Sequence, residues 1–177
     1  MSFVITGTTS SSAVLATVYL QQELGLTALE AGFTLVAFSI LVVIGSGLAG
    51  PLLAQHPPRR VAAIGLTVIA VSNTVFVLAG TSWEGIGVAM AAGGLGIGLS
   101  SVAATGLGTD VPNEHAGSAS GVLNTGAQVG TALGTALVVM IASLISAMWG
   151  WTAAAALALG AALWAGTRPD HFKEGAS

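Results

Sequence analysis

Residues 118–147, SASGVLNTGAQVGTALGTALVVMIASLISA, decide the fold class of this chain. The stretch contains no Asp, Glu, His, Lys or Arg. A helix needs about 20 mostly apolar residues to cross the roughly 30 Å of hydrocarbon in a bilayer. We therefore predict a membrane-spanning helix here, long enough to tilt or to begin with a turn at the membrane surface.

Five further apolar stretches have a similar length. The six predicted helices cover residues 3–22, 31–54, 61–80, 85–108, 118–147 and 151–167. Short loops join them, as is typical of a compact helical bundle. The sequence thus predicts an all-α integral membrane protein, with a six-helix bundle over residues 1–168 and a cytoplasmic tail over residues 169–177.

Local signals mark several helix ends. Thr27 and Glu30 have the spacing of a capping box at the start of the second helix. Pro57 and Pro58 end that helix, because proline lacks a backbone donor and restricts the residue before it. Gly150, between two tryptophans, predicts the turn before the last helix.

The composition excludes several classes of protein. Charged residues make up 6% of the chain, against about 25% in a soluble domain, and the mean hydropathy is +0.89. Four basic and seven acidic residues could not cover a soluble fold of 177 residues, whereas lipid can. The chain has no cysteine and no basic patch, so thiolate chemistry and nucleic-acid binding are not expected. Its three histidines match no ligand spacing, so we expect no metal and no other cofactor.

The charges give the predicted bundle an orientation. All the basic residues fall on one predicted side of the membrane: Arg59, Arg60, Arg168 and Lys173. The opposite loops carry acidic residues only: Glu23, Glu30 and Glu84. Basic loops face the cytoplasm, so we expect a plasma (inner) membrane protein with both termini cytoplasmic. Aromatic residues that could form membrane-surface belts lie near the predicted helix ends: Tyr19, Trp83, Trp149, Trp151 and Trp164.

Glycines at intervals of four predict where helices approach each other closely. Gly126, Gly130 and Gly134 lie on one face of the fifth helix and form a double G-x-x-x-G pattern. Gly94 and Gly98 form a second packing seam on the fourth helix. The glycines of the fourth helix favour packing over nucleotide binding, because they lie inside a spanning segment and follow no strand.

Polar side chains form two stripes. The fifth helix carries Asn124, Gln128, Thr131 and Thr135, and the first carries Thr6, Ser10, Thr17 and Gln21. Amides that face lipid would be unsatisfied, so they must face a neighbouring helix or a wet cavity. Both alternatives stay open for the amides, whereas packing is favoured for the threonines, which can bond to their own backbone. The candidates for a substrate path are Thr6, Ser10, Thr17, Gln21, Asn124, Gln128 and Thr131.

No titratable residue lies at membrane depth in the predicted helices, so the chain shows no proton relay. It also shows no catalytic set of residues, and an enzyme is not expected. Asn73, alone in the third helix, is interpreted as a packing amide. A weak echo between Glu30-Ala31-Gly32 and Glu114-His115-Ala116-Gly117, with three helices per half, is consistent with inverted repeats.

Motifs within residues 19–32, 50–60 and 111–134, taken in this order, resemble those of the major facilitator superfamily and especially of its fourteen-helix drug:proton antiporters. Residues 19–32, YLQQELGLTALEAG, resemble that branch's YLQ-x-x-x-G-x-[ST]-x-x-x-A-G pattern. Residues 50–54, GPLLA, followed by Pro58-Arg59-Arg60, resemble the inner-loop motif of the family's C-terminal half. Residues 111–117, VPNEHAG, and 120–134, SGVLNTGAQVGTALG, resemble the next inner loop and the helix after it.

The resemblance implies a C-terminal half of six helices. In this family the substrate cavity lies between two such halves, alternating access moves the solute, and inner loops act as gates. It implies that the first and fourth helices line the cavity and that the second and fifth lie along the seam. Arg59, Arg60 and Glu114 become candidates for gating. Gln55 and His56 stand where the family usually has an Asp before its basic pair.

The expected function is that of half a drug or small-solute efflux carrier. Its expected partners are the lipid bilayer, a small-molecule substrate, and either the missing N-terminal half of the same carrier or a separate partner half. The alternative is a non-transporting membrane scaffold or assembly module, in which the polar stripes serve helix packing alone. The hydroxyls and amides of the stripes suit neutral and cationic solutes equally.

Overall fold

The computed structural model describes residues 1–79, 82–109 and 111–167, and these residues form six long helices. The helices are α1 (Ser2–Gln22), α2 (Ala28–Gln55), α3 (Pro58–Leu78), α4 (Trp83–Thr109), α5 (Ala116–Leu144) and α6 (Ala147–Thr167), with a 3-10 turn at Asn113–His115. Each is long and apolar enough to cross a membrane. The predicted all-α membrane fold is confirmed. Arg168, Lys173 and the predicted tail lie outside the described residues.

The start of α2 follows directly from the sequence. The Thr27 Oγ1 accepts a hydrogen bond from the Glu30 N–H at 3.3 Å, and the Thr27 N–H donates to the Glu30 Oε2 at 2.8 Å. The predicted capping box is therefore confirmed. At the other end of α2, His56 is extended and Pro58 opens α3, as the proline pair predicts.

The prediction for Gly150 is wrong. This residue lies inside α6, which begins at Ala147 rather than at residue 151. A Cβ added at Gly150 would lie 2.9 Å from the Leu15 Cδ2 and 3.0 Å from the Val138 carbonyl oxygen. The glycine thus lets α6 approach α1 and α5, and it does not mark a turn.

Trp151 does not belong to an aromatic belt, and that prediction is also wrong. Its side chain is 0% exposed. The indole ring stacks on Phe76 with 5.1 Å between the ring centroids, and it meets Tyr19 edge-on at 5.5 Å. Trp151 is therefore part of the core between α1, α3 and α6. Trp83, Trp149 and Trp164 are exposed near helix ends, and their role at a membrane surface stays a prediction.

The helices pack as two inverted repeats of three. The α1 helix packs on α5, α2 packs on α4, and α3 packs on both α4 and α6. In such a repeat, α1 is equivalent to α4, α2 to α5 and α3 to α6. The α1–α5 contact then has the α4–α2 contact as its equivalent, and the α3–α6 contact is equivalent to itself. Three crossings per repeat place the two repeats in opposite orientations. The predicted inverted repeats are thus confirmed by the packing.

Glycines occupy the equivalent crossings of both repeats. At the α1–α5 crossing, a Cβ on Gly7 would lie 2.8 Å from the Gly130 carbonyl oxygen, and one on Gly134 would lie 2.5 Å from that of Gly7. At the α2–α4 crossing, a Cβ on Gly98 would lie 2.8 Å from the Ser46 nitrogen, and one on Gly94 would overlap the backbone of Phe38. Backbones can approach this closely because no side chain intervenes.

Gly126 differs from these residues. A Cβ added there would meet nothing within 4 Å, although Gly126 continues the same four-residue spacing. Among the described helices, this glycine therefore makes no close crossing, and its predicted role in packing stays a prediction.

Candidate functional site

The polar candidates from two helices meet at one end of the bundle. A cavity of about 270 Å³ lies between the start of α1, the end of α4 and the start of α5. These ends coincide because successive helices cross the bundle in opposite directions. The cavity is lined by Ser2, Ile5, Thr6, Ser101, Thr105, Thr109, Ser120, Leu123, Asn124 and Ala127.

Thr6 joins α1 to α5 at this cavity. Its Oγ1 lies 2.8 Å from the Ala127 carbonyl oxygen of α5 and 2.9 Å from the Ser2 carbonyl oxygen of its own helix. The single hydroxyl proton serves these two acceptors, while the lone pairs of the oxygen stay available to a solute. Helix packing and cavity lining are therefore combined in one residue.

Asn124 supplies the amide of the cavity. Its side chain is exposed, and the hydrogen bonds among the described residues include none to its amide. An amide offers two donors and an acceptor, so Asn124 can recognise a solute that both donates and accepts. The α5 stripe does not enter the cavity as a unit, because Gln128 and Thr131 lie further along α5 and are not among the lining residues.

The family resemblance implies that α4 lines the cavity, but sequence reasoning did not identify which of its residues do so. Ser101, Thr105 and Thr109 follow one another at intervals of four, which places them on one face of a helix. That spacing was visible in the sequence, but only the glycines of α4 were singled out, as packing residues. Ser120, at the start of α5, completes this row of hydroxyl groups.

The rest of the α1 stripe lies elsewhere. Thr17 donates from its Oγ1 to the Ala13 carbonyl oxygen at 2.9 Å, and Gln21 is exposed near the opposite end of α1. At 1.5 Å per residue, Gln21 is about 22 Å from Thr6 along the helix. Ser10 is half-buried between these two ends. The stripe therefore runs the length of the bundle and does not form a single site.

The polar run from Thr8 to Ser12 mostly satisfies itself. Thr8, Thr9 and Ser11 donate to carbonyl oxygens three or four residues earlier in α1. Ser12 instead donates to the Asn73 Oδ1 of α3, and the Asn73 Nδ2 donates to the Ile69 carbonyl oxygen at 2.9 Å. The structure thus places Asn73 as a packing amide with a partner on another helix.

The gating candidates do not form one cluster. Arg59 is half-buried and borders a second cavity of about 230 Å³, together with Leu107, Leu123 and Trp164. Arg60 is exposed. The Glu114 Oε1 lies 3.6 Å from the His115 Nε2, and both side chains are mostly exposed. Such an exposed contact contributes little to stability.

None of the residues that line the cavity between α1, α4 and α5 carries a charged side chain. Asp, Glu, Lys and Arg occur only in the first turns of the described helices, and no His lies within them. No group of three or more potential metal ligands occurs among the described residues. The cavity between α1, α4 and α5 can therefore hold a small solute through hydrogen bonds and apolar contact.

Two comparisons with known proteins bear on this site. The family model of the Major Facilitator Superfamily matches residues 1–177. A protein of Streptomyces coelicolor named "Probable actinorhodin transporter" is 35% identical over 140 residues, which is 75% of this chain and 24% of that protein. The chain therefore spans about a quarter of the length of the relative it matches.

Proposed function

Because this chain belongs to the Major Facilitator Superfamily, we propose that it forms the C-terminal six-helix half of a carrier that exports a small solute by alternating access. The family and the Streptomyces coelicolor relative both indicate a transporter rather than an enzyme. The relative is named as a probable actinorhodin transporter, which supports a role in transport for this chain as well.

The cavity between α1, α4 and α5 carries this proposal. It lies at the inner end of the bundle if the basic residues Arg59 and Arg60 face the cytoplasm. Its lining combines hydroxyl groups from three helices with the amide of Asn124. This chemistry supports a solute with several hydrogen-bonding groups and no need of a counter-charge.

The remainder of the site belongs to a second half. Both α2 and α5 are exposed along most of their length, and α2 presents Phe33, Val36, Ile40 and Val43 outward. We propose that α2 and α5 lie along the seam with the N-terminal half of the same carrier. The exposed amide of Gln128, on α5, would then face that half. Arg59, Arg60 and Glu114 would act at the inner gate, and the protein would lie in the plasma membrane with both termini in the cytoplasm.

Substitution of Asn124 by Ala tests the proposed site. The expected result in the full-length carrier is a transport rate lowered about five- to tenfold, because one lost hydrogen bond to the solute is worth about 1 kcal/mol. The measurement is solute efflux from cells or proteoliposomes at equal protein levels. Ser143→Ala is the matched control, since Ser143 is an exposed residue of the same helix that bonds to its own backbone at 2.9 Å.

The rate of the Asn124→Ala carrier separates the proposal from the scaffold alternative. A wild-type rate in this variant would remove Asn124 from the substrate path. A full-length protein that moves no solute across the membrane would favour a scaffold.

A further inference from the structure

A second polar space lies in the middle of the bundle, away from the proposed solute cavity. It has a volume of about 10 Å³, and α1, α2, α3 and α4 all contribute to its walls. Four polar residues line it and are almost fully buried: Thr9 (4% exposed), Ser12 (2%), Ser72 (2%) and Asn73 (1%). A polar space needs about 10–15 Å³ to hold one water molecule, so this space is of the right size for one.

The three hydroxyl groups around this space each donate their proton to a protein acceptor. The Thr9 Oγ1 donates to the Ile5 carbonyl oxygen at 2.8 Å, and the Ser72 Oγ donates to the Ala89 carbonyl oxygen at 2.7 Å. Ser12 donates to the Asn73 Oδ1. Each hydroxyl has a single proton, so these three groups can offer only lone pairs to an occupant.

Asn73 supplies the opposite capacity. Its Nδ2 carries two hydrogens, and the bond to the Ile69 carbonyl oxygen at 2.9 Å uses one of them. The walls can therefore accept from an occupant at the hydroxyl oxygens and donate to it from Asn73. We propose that this space holds one ordered water molecule, which accepts from the Asn73 Nδ2 and donates to hydroxyl oxygens of α1 and α3.

A monovalent cation fits the same walls poorly. The described helices carry no carboxylate away from their ends, so the charge would be buried without a counter-ion. The remaining N–H of Asn73 would also point a positive partial charge towards it. Water avoids both costs and satisfies donors and acceptors together. It links α1 to α3 by hydrogen bonds that can exchange partners, beside the direct Ser12–Asn73 contact.

The substitution Gly93→Ala tests the proposal, because the sign of its effect on stability depends on whether the space holds water. This residue lines the space, and a Cβ added to it would lie 3.0 Å from the Ser72 Oγ. Gly87 is the matched control on the same helix, because a Cβ there meets nothing within 4 Å. In an empty space, Gly93→Ala would gain helix propensity and fill the space, and only the Ser72 hydroxyl would have to shift, by a few tenths of an ångström. With water present, the methyl group displaces the water and leaves polar groups unsatisfied.

The measurement is the melting temperature of the full-length protein in lipid nanodiscs. We expect Gly93→Ala to melt a few degrees below wild type and Gly87→Ala to melt at or above it. A Gly93→Ala protein as stable as Gly87→Ala would overturn the proposal in favour of a dry space. A melting temperature of the wild type that falls when Na⁺ is replaced by choline, and does not fall in Gly93→Ala, would overturn it in favour of a cation.

A direct observation remains decisive if Gly93→Ala fails to fold. A map of the wild-type full-length protein that resolves ordered water should show one peak within hydrogen-bonding distance of the Asn73 Nδ2 and the Ser72 Oγ. A well-resolved map with no peak there would overturn the proposal.

Discussion

The glycines of α5 allow a prediction that the sequence spacing alone would not make. Gly126 and Gly130 occur four residues apart in the same G-x-x-x-G pattern. A Cβ on Gly130 would lie 2.7 Å from the Phe3 Cα and 2.8 Å from its carbonyl carbon, whereas a Cβ on Gly126 meets nothing within 4 Å. We therefore expect Gly130→Ala to destabilise the protein and Gly126→Ala to leave it as stable or stabilise it.

The magnitude follows from the geometry. Carbon atoms pack best at about 3.5–4.0 Å, so a methyl group at Gly130 must widen the α1–α5 crossing by roughly 1 Å. The obstacle is the backbone of Phe3, which cannot rotate away as a side chain could. Overpacking of this kind costs about 1–3 kcal/mol, while replacing an unconstrained helical glycine by alanine gains up to about 1 kcal/mol. Both substitutions gain the same helix propensity, so the two variants should differ by the cost of overpacking, about 1–3 kcal/mol.

The assay is thermal unfolding of the full-length protein in detergent, with Gly130→Leu as a more severe variant. Gly130→Ala should lower the melting temperature, and Gly130→Leu should lower it further. Equal shifts for Gly126→Ala and Gly130→Ala would refute the reasoning, since they would mean that the spacing and not the crossing determines the cost.

Two other contacts give predictions in the core. Ser12→Ala should lower the free energy of unfolding by about 1–2 kcal/mol, because it leaves the buried Asn73 Oδ1 without its partner on α1. In a double-mutant cycle, the Ser12→Ala/Asn73→Leu double variant should lose less stability than the two single variants lose in sum. Additive costs in that cycle would show that the contact contributes nothing. The Trp151 Nε1 is buried without a hydrogen-bond partner among the described residues, so Trp151→Phe should change stability by less than about 1 kcal/mol while Trp151→Ala costs about 3–5 kcal/mol. Equal losses of melting temperature in these two variants would contradict this expectation.

Much of the fold was determined locally and could be predicted from the sequence. The length of apolar sequence required to cross a bilayer is a property of each segment, so all six helices were found. The capping box of α2 involves residues three apart and depends on no distant partner. Three helices per repeat were enough to predict opposite orientations, because each helix reverses the direction of the chain.

The candidate site could be predicted only in part. Thr6 and Asn124 were recognised as polar residues on particular helix faces, and they do share a cavity. Gln21 was placed in the same set although it lies near the other end of α1. Helical spacing shows which residues share a face of α1, but it does not show which other helix lies beside each of them. Ser101, Thr105 and Thr109 were overlooked for the same reason, as nothing local shows that α4 ends beside Thr6.

The sequence by itself determined which segments are long and apolar enough to span a membrane, how α2 begins, and which faces are polar or small. Only the tertiary structure decided that Gly130 is tightly packed and Gly126 is not, that Gly150 lies inside a helix, and that Trp151 is buried. The physical reason is that helical periodicity depends on neighbours three or four residues away. The partner that a face meets is instead set by how helices far apart in sequence cross.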